Sequence, residues 1–165
     1  MRRFSLQLSV ICVMCSLLAP VGREVRADQR GEIEPDVVDR ISSDERLSNF
    51  AWAIDLTQQE EILRGEGPWT ILAPSNAAYD EIPMREIIRL IRNRAELTEI
   101  FRCHVIEGRL SEEDLRALSQ VQTRQGLQLP VRQSEGQLWL GTANVVEADI
   151  VASNGVIHIV DRIYS

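Results

Sequence analysis

Leu47, Phe50, Ala51 and Ile54 recur at i, i+3, i+4 and i+7, a spacing that predicts an amphipathic helix. Ser42-Ser43-Asp44-Glu45, just before them, has the spacing of a capping box, in which Ser and Glu satisfy each other's backbone N–H groups. Thr57 to Glu60 repeats that spacing ahead of Ile62 and Leu63, and Gly65-Glu66-Gly67-Pro68 then predicts a turn. Trp69 to Ala73 reads as a short strand, stopped by Pro74-Ser75-Asn76. Ser75 or Asn76 is placed to cap a short helix through Tyr79. Met84, Ile87, Ile88 and Ile91 form a second helical stripe. Leu97, Ile100, Phe101 and Val105 form a third, with His104 on its edge. Ser111 is the expected cap of a brief acidic helix through Leu118.

After Gln120 the pattern changes to β-type runs: Leu127 to Val131, Gln137 to Leu140, Val145 to Ile150 and Val156 to Tyr164. Ser134-Glu135-Gly136, Gly141-Thr142 and Ser153-Asn154-Gly155 separate them. Asn-Gly is a tight-turn signal because both residues tolerate positive φ. Helices first and strands later predict an α+β fold with an antiparallel sheet.

Composition adds an export expectation. Met1-Arg2-Arg3 followed by an apolar run from Phe4 to Ala19 and the small-x-small triplet Val25-Arg26-Ala27 reads as a signal peptide over residues 1–27, cleaved before Asp28. Residues 28–35 read as a flexible lead-in, and residues 36–165 as one domain. The protein is then expected outside the cytoplasm, secreted or periplasmic, and not membrane-spanning. Removing residues 1–27 leaves 14 basic and 24 acidic residues. That balance disfavours nucleic acid and anionic membranes as partners. Cys12-x-x-Cys15 falls within the leader, so the one remaining thiol, Cys103, is expected to be a small buried hydrophobe.

Three segments carry a family resemblance. TILAPSNAAYDEIP at Thr70 to Pro83 resembles the first signature of fasciclin-like domains, CHVIEGRL at Cys103 to Leu110 their central segment, and DIVASNGVIHIVDRI at Asp149 to Ile163 their closing signature. Cys103 stands where the family usually has Tyr. The signature residues are Thr70, Ala73, Pro74, Ser75, Asn76, Tyr79, His104, Asn154, Gly155, His158 and Asp161, with a mainly structural role expected. The resemblance implies a wedge-shaped β-sandwich with helices packed on it, helices mainly N-terminal and antiparallel strands mainly C-terminal. It also implies a secreted or cell-surface binding module for cell adhesion or extracellular matrix contact, with an extracellular protein or glycan as partner, no cofactor and no enzymatic activity. Glu147, Asp149 and Ile150 match part of a segment that adhesion members use for partner contact, with Ala148 and Val151 departing from it. The alternative function is binding of a small apolar ligand, a carotenoid or lipid, in a cleft near the signatures, which Trp52, Trp69 and Trp139 could line.

The residues themselves offer little to catalysis. A zinc site needs three or four ligands, and His104, His158 and Cys103 are few and poorly spaced for one. Ser75 lacks a nucleophile elbow, and Cys103 beside His104 in sequence makes no dyad. A neutral imidazole donates one hydrogen bond and accepts another. His158, amid apolar neighbours in a strand buried on both faces, is expected to tie elements together, with Asn76 as a candidate partner.

Overall fold

The computed structural model describes residues 34–165. The expected leader and cleavage site, Cys12 and Cys15 and most of the expected lead-in lie outside the described residues. The N-terminal half is helical: α1 (Val37–Ser43), α2 (Ser48–Thr57), α3 (Glu60–Leu63), α4 (Asn76–Asp80), α5 (Met84–Arg92), α6 (Arg94–Arg102) and α7 (Glu112–Ala117). The strands are β1 (Trp69–Pro74), β2 (Val105–Glu107), β3 (Gln120–Gln122), β4 (Gln128–Ser134), β5 (Gln137–Leu140), β6 (Ala143–Ala152) and β7 (Gly155–Val160). They form one sheet in the order β2-β1-β7-β6-β5-β4-β3.

The helix-then-strand architecture follows the sequence pattern, with one exception in the sheet. β7 pairs antiparallel to β6 but parallel to β1, with Trp69 opposite Gly155 and Leu72 opposite His158. Every residue of β7 is buried, as a strand covered on both faces requires. Alternation along β1 and β7 splits the core in two. Ile71, Ala73, Ile157 and Ile159 face a cluster with Val37, Ile41, Phe50 and Ile54 of the helices. Leu72 and Val160 face a second cluster with Leu115, Leu129, Leu138 and Leu140, where the sheet curls over on itself. Cys103 is a free thiol buried in this second cluster.

Three local expectations need correction. Ser42 lies in the last turn of α1 and forms no capping box; Asp44 instead accepts from the Arg46 N–H and opens a single 3-10 turn over Glu45–Leu47. Thr57 closes α2, donating to the Ala53 carbonyl, and does not cap α3. Ser75 takes the cap position of α4 without a side-chain bond to it. The Ser111 cap of α7 does form, as a reciprocal pair with Asp114.

Gly155 is required for space rather than for φ. Positive φ occurs at Glu135, Gly136 and Gly141, where the β4–β5 and β5–β6 hairpins turn, but not at Asn154 or Gly155. A Cβ on Gly155 would stand 2.4 Å from the Trp69 carbonyl oxygen and 2.8 Å from Val37 Cγ1. Gly155→Ala must push β7 away from β1 or α1 away from both. A loss of roughly 1–3 kcal/mol is expected from such overpacking; a urea midpoint equal to wild type would refute the close approach.

Candidate functional site

The polar signature residues act as brackets between elements. Thr70, fully buried, donates through Oγ1 to the Gly108 carbonyl at 2.7 Å and accepts from the Leu110 N–H at 2.9 Å. Asn76 caps a helix other than its own. Its Oδ1 accepts from the Asn49 N–H at 3.1 Å, in the first turn of α2, and its Nδ2 donates to the Glu45 carbonyl at 2.8 Å. Asn154 does the same for two helix ends. Oδ1 accepts from the Val37 N–H that opens α1, and Nδ2 donates to the Leu63 carbonyl that closes α3. Asp161 Oδ1 accepts from the Asn144 N–H at 2.8 Å. Ala73 and Pro74 fill the end of β1.

The two histidines are buried in opposite tautomers. His104 sits in the turn after α6, where Nδ1 donates to the Ile100 carbonyl at 2.9 Å and Nε2 accepts from the Tyr164 N–H at 3.1 Å. Its ring packs between Phe50 and Tyr164, at 5.9 and 5.1 Å between centroids. His158 Nε2 donates to the Leu110 carbonyl at 2.8 Å, and Nδ1 accepts from the Asp149 N–H at 3.2 Å. The expected Asn76–His158 bond does not form: Asn76 serves the start of α2, on the helical side, while His158 shares the face of Leu72 and reaches the loop before α7. Burial pushes the His104 pKa down to about 4 and lowers that of His158. Both rings are neutral, and each has both nitrogens committed to backbone groups. Neither is placed as a base toward Ser75 or Cys103, and burial pushes the Cys103 thiol up, away from the thiolate.

Glu147, Asp149 and Ile150 lie on the bulged stretch of β6. Asp149 adopts a left-handed φ of 60°, a conformation Asp tolerates. Its carboxylate accepts from the Glu112 N–H at the start of α7. Glu147 pairs with Arg46 at 2.6 Å, and Ile150 packs against the helical core. Val146 and Val151 on the same strand stand 62% and 51% exposed.

A cavity not read from the sequence opens between α2, α4, α5 and α6, with a volume of about 200 Å³. Phe50, Phe101 and His104 line its buried depth. Trp52, Ala53 and Leu56 contribute from α2, and Ile87, Leu90 and Ile91 from α5. Tyr79 and Asp80 add polar groups, and Tyr79 and His104 bring two signature segments to one cavity. Burial raises the Tyr79 pKa, and its hydroxyl has no hydrogen-bond partner among the described residues. Of the three tryptophans only Trp52 lines this groove; Trp69 lies under the Arg124 guanidinium, and Trp139 sits on β5 opposite Asn144. The sequence signal for the groove was the α5 stripe. Ile87, Leu90 and Ile91 of α5 are only half-buried because they close over a cavity rather than a filled core.

A family model for the fasciclin domain matches residues 45–164. The Synechocystis protein sll1735 is 33% identical over 129 residues, spanning 78% of this chain and 96% of that one. The Sus scrofa transforming growth factor-beta-induced protein ig-h3 is 33% identical over 127 residues, 77% of this chain and 19% of that protein. Human periostin is 26% identical over 132 residues, 79% of this chain and 16% of that protein. The structure is similar to a FAS1 domain pair from the insect cell adhesion molecule fasciclin I, with a TM-score of 0.63 and 16% identity over 79% of this chain and 51% of that one. At that identity the likeness concerns the fold.

Proposed function

The chain belongs to the fasciclin domain family, and from that premise we propose that it is a secreted or cell-surface binding module for adhesion or matrix contact, not an enzyme. The observation that carries this reading is the use made of the signature residues. The polar signature groups are committed to backbone brackets, so partner contact falls to the exposed surface. The proposed contact for an extracellular protein or glycan is the β6 surface around Glu147, Asp149 and Ile150, where Val146 and Val151 leave apolar side chains in water. An Arg-paired carboxylate beside exposed valines offers both a polar and an apolar contact. Surfaces coated with the protein should retain cells or matrix proteins. Val146→Asp combined with Val151→Asp should reduce retention about tenfold or more, the scale of a lost binding hot spot. Retention unchanged in that variant would exclude this face.

The groove supports a second reading, binding of a small apolar ligand such as a carotenoid or lipid. Its apolar walls and the Tyr79 hydroxyl on its lining fit a molecule with a long apolar body and one polar end. Protein mixed with a lipid and pigment extract, then repurified, should carry ligand by absorption or mass spectrometry. Ile91→Asp should abolish that loading, and wild-type protein that emerges clean sinks this reading.

A further inference from the structure

Charge along the described residues is segregated. Residues 84–102, the α5–α6 hairpin, hold five Arg and three acidic residues. The rest of residues 34–165 holds eight Arg and nineteen acidic residues. The three acids of the hairpin are also neutralised: Glu86 and Glu96 both bind Arg89, at 2.6 Å each, and Glu99 pairs with Arg102. Arg85 and Arg92 form no ion pair among the described residues, and both are exposed. The chain-wide negative charge therefore conceals a local cationic surface.

Helical geometry places those two arginines beside apolar side chains. At 100° per residue, Met84, Ile88, Arg92 and Arg85 fall within an arc of about 100° that contains no acid. None of the four lines the groove or the hollow beside it, whereas Ile87, Leu90 and Ile91 face the groove and Glu86 and Arg89 face that hollow. Met84 is 68% exposed and Ile88 43% exposed. We propose that this arc of α5 seats the protein on an anionic lipid surface, with Met84 and Ile88 entering the interface and Arg85 and Arg92 meeting lipid phosphates or carboxylates. An acid-free basic and apolar helix face is what a surface-lying helix presents to a bilayer. An anionic polysaccharide would need the arginines but would gain nothing from Met84 and Ile88, so the pairing favours lipid. At an ionic strength near 0.15 M the screening length is about 8 Å, so the local cations outweigh the distant acids. This proposal stands apart from the β6 contact and the groove ligand.

The test is vesicle co-sedimentation of the protein without its apolar leader, residues 28–165, comparing neutral phosphatidylcholine with vesicles carrying about a third phosphatidylserine. Wild type should partition more strongly onto the anionic vesicles, and more weakly as salt rises. Arg85→Gln with Arg92→Gln should weaken anionic binding about 25-fold, at about fivefold per arginine. Met84→Ser with Ile88→Ser should weaken it too, with circular dichroism unchanged in both variants because all four residues are exposed. Equal binding to both vesicle types, or no loss in either variant, overturns the proposal. Retention on heparin that depends on the arginines but not on Met84 and Ile88, without vesicle binding, overturns it in favour of a polysaccharide contact.

Discussion

Between pH 7 and pH 4 the unfolding free energy falls by roughly 3 kcal/mol through His104 alone, taking its native pKa of about 4 against an ordinary 6.5. The native ring is neutral, because Nε2 accepts the Tyr164 N–H while Nδ1 already donates to Ile100. A proton on Nε2 would set donor against donor inside an aromatic sandwich. Below about pH 6.5 the unfolded chain binds a proton that the native chain refuses, so stability is full above that pH and drains away toward pH 4. His158 contributes with the same sign. Burial disfavours its cation, outweighing the Leu110 carbonyl and the carboxylates of Asp149 and Glu112 that favour it. Urea unfolding from pH 7.5 to 4 measures the effect. A midpoint that stays level down to pH 4.5 would show that the rings titrate normally and that the tautomer assignment is wrong.

His158→Ala should lower stability by roughly 2–4 kcal/mol, combining the void left by a fully buried ring with two orphaned backbone groups. The orphans are the Leu110 carbonyl and the Asp149 N–H, so the damage spreads to the loop before α7 and the bulge of β6. Asp149, at its left-handed φ, also holds the first N–H of α7. One ring thus fixes the geometry of both. Such a loss is a large share of the 5–15 kcal/mol typical of a whole domain. Denaturant unfolding beside wild type decides it. Loss of partner binding at an unchanged unfolding midpoint would make His158 a contact residue instead.

The fold was legible wherever one segment carries its own signal. The α2, α5 and α6 stripes and the late β runs are local periodicities, and the capping pair Ser111 and Asp114 is a local bond. What escaped depends on distant partners. α1 is short, and its first N–H is held by Asn154, 117 residues away. Ser42 and Thr57 had cap-like spacings, but Asp44 and the Ala53 carbonyl won the competition for local bonds. Gly155 was legible as a glycine position and not as a packing constraint, because the carbonyl it must avoid belongs to Trp69. The Asn76–His158 link failed for a similar reason. Sequence order placed two polar signature residues in one domain, but alternation along β7 turns His158 away from the helices that Asn76 braces. The groove is partly legible, since Tyr79 and His104 belong to signature segments and Trp52 is a large apolar residue on α2, yet nothing local says that they meet.

The parallel seam between β1 and β7 also sets a schedule. Residues 69–74 and 155–160 are neighbouring interior strands of the sheet but far apart along the chain, and β7 is the last strand among the described residues. A ribosome therefore delivers the helices, β1 and β6 before the strand that joins them. Until Gly155–Val160 appears, β1 lacks one of its two neighbours and the helical core lacks Ile157 and Ile159. Pairings this distant form slowly, because the intervening loop must close before any contact rewards it. A chain built in this order cannot close its sheet around β1 until that late interior strand is made.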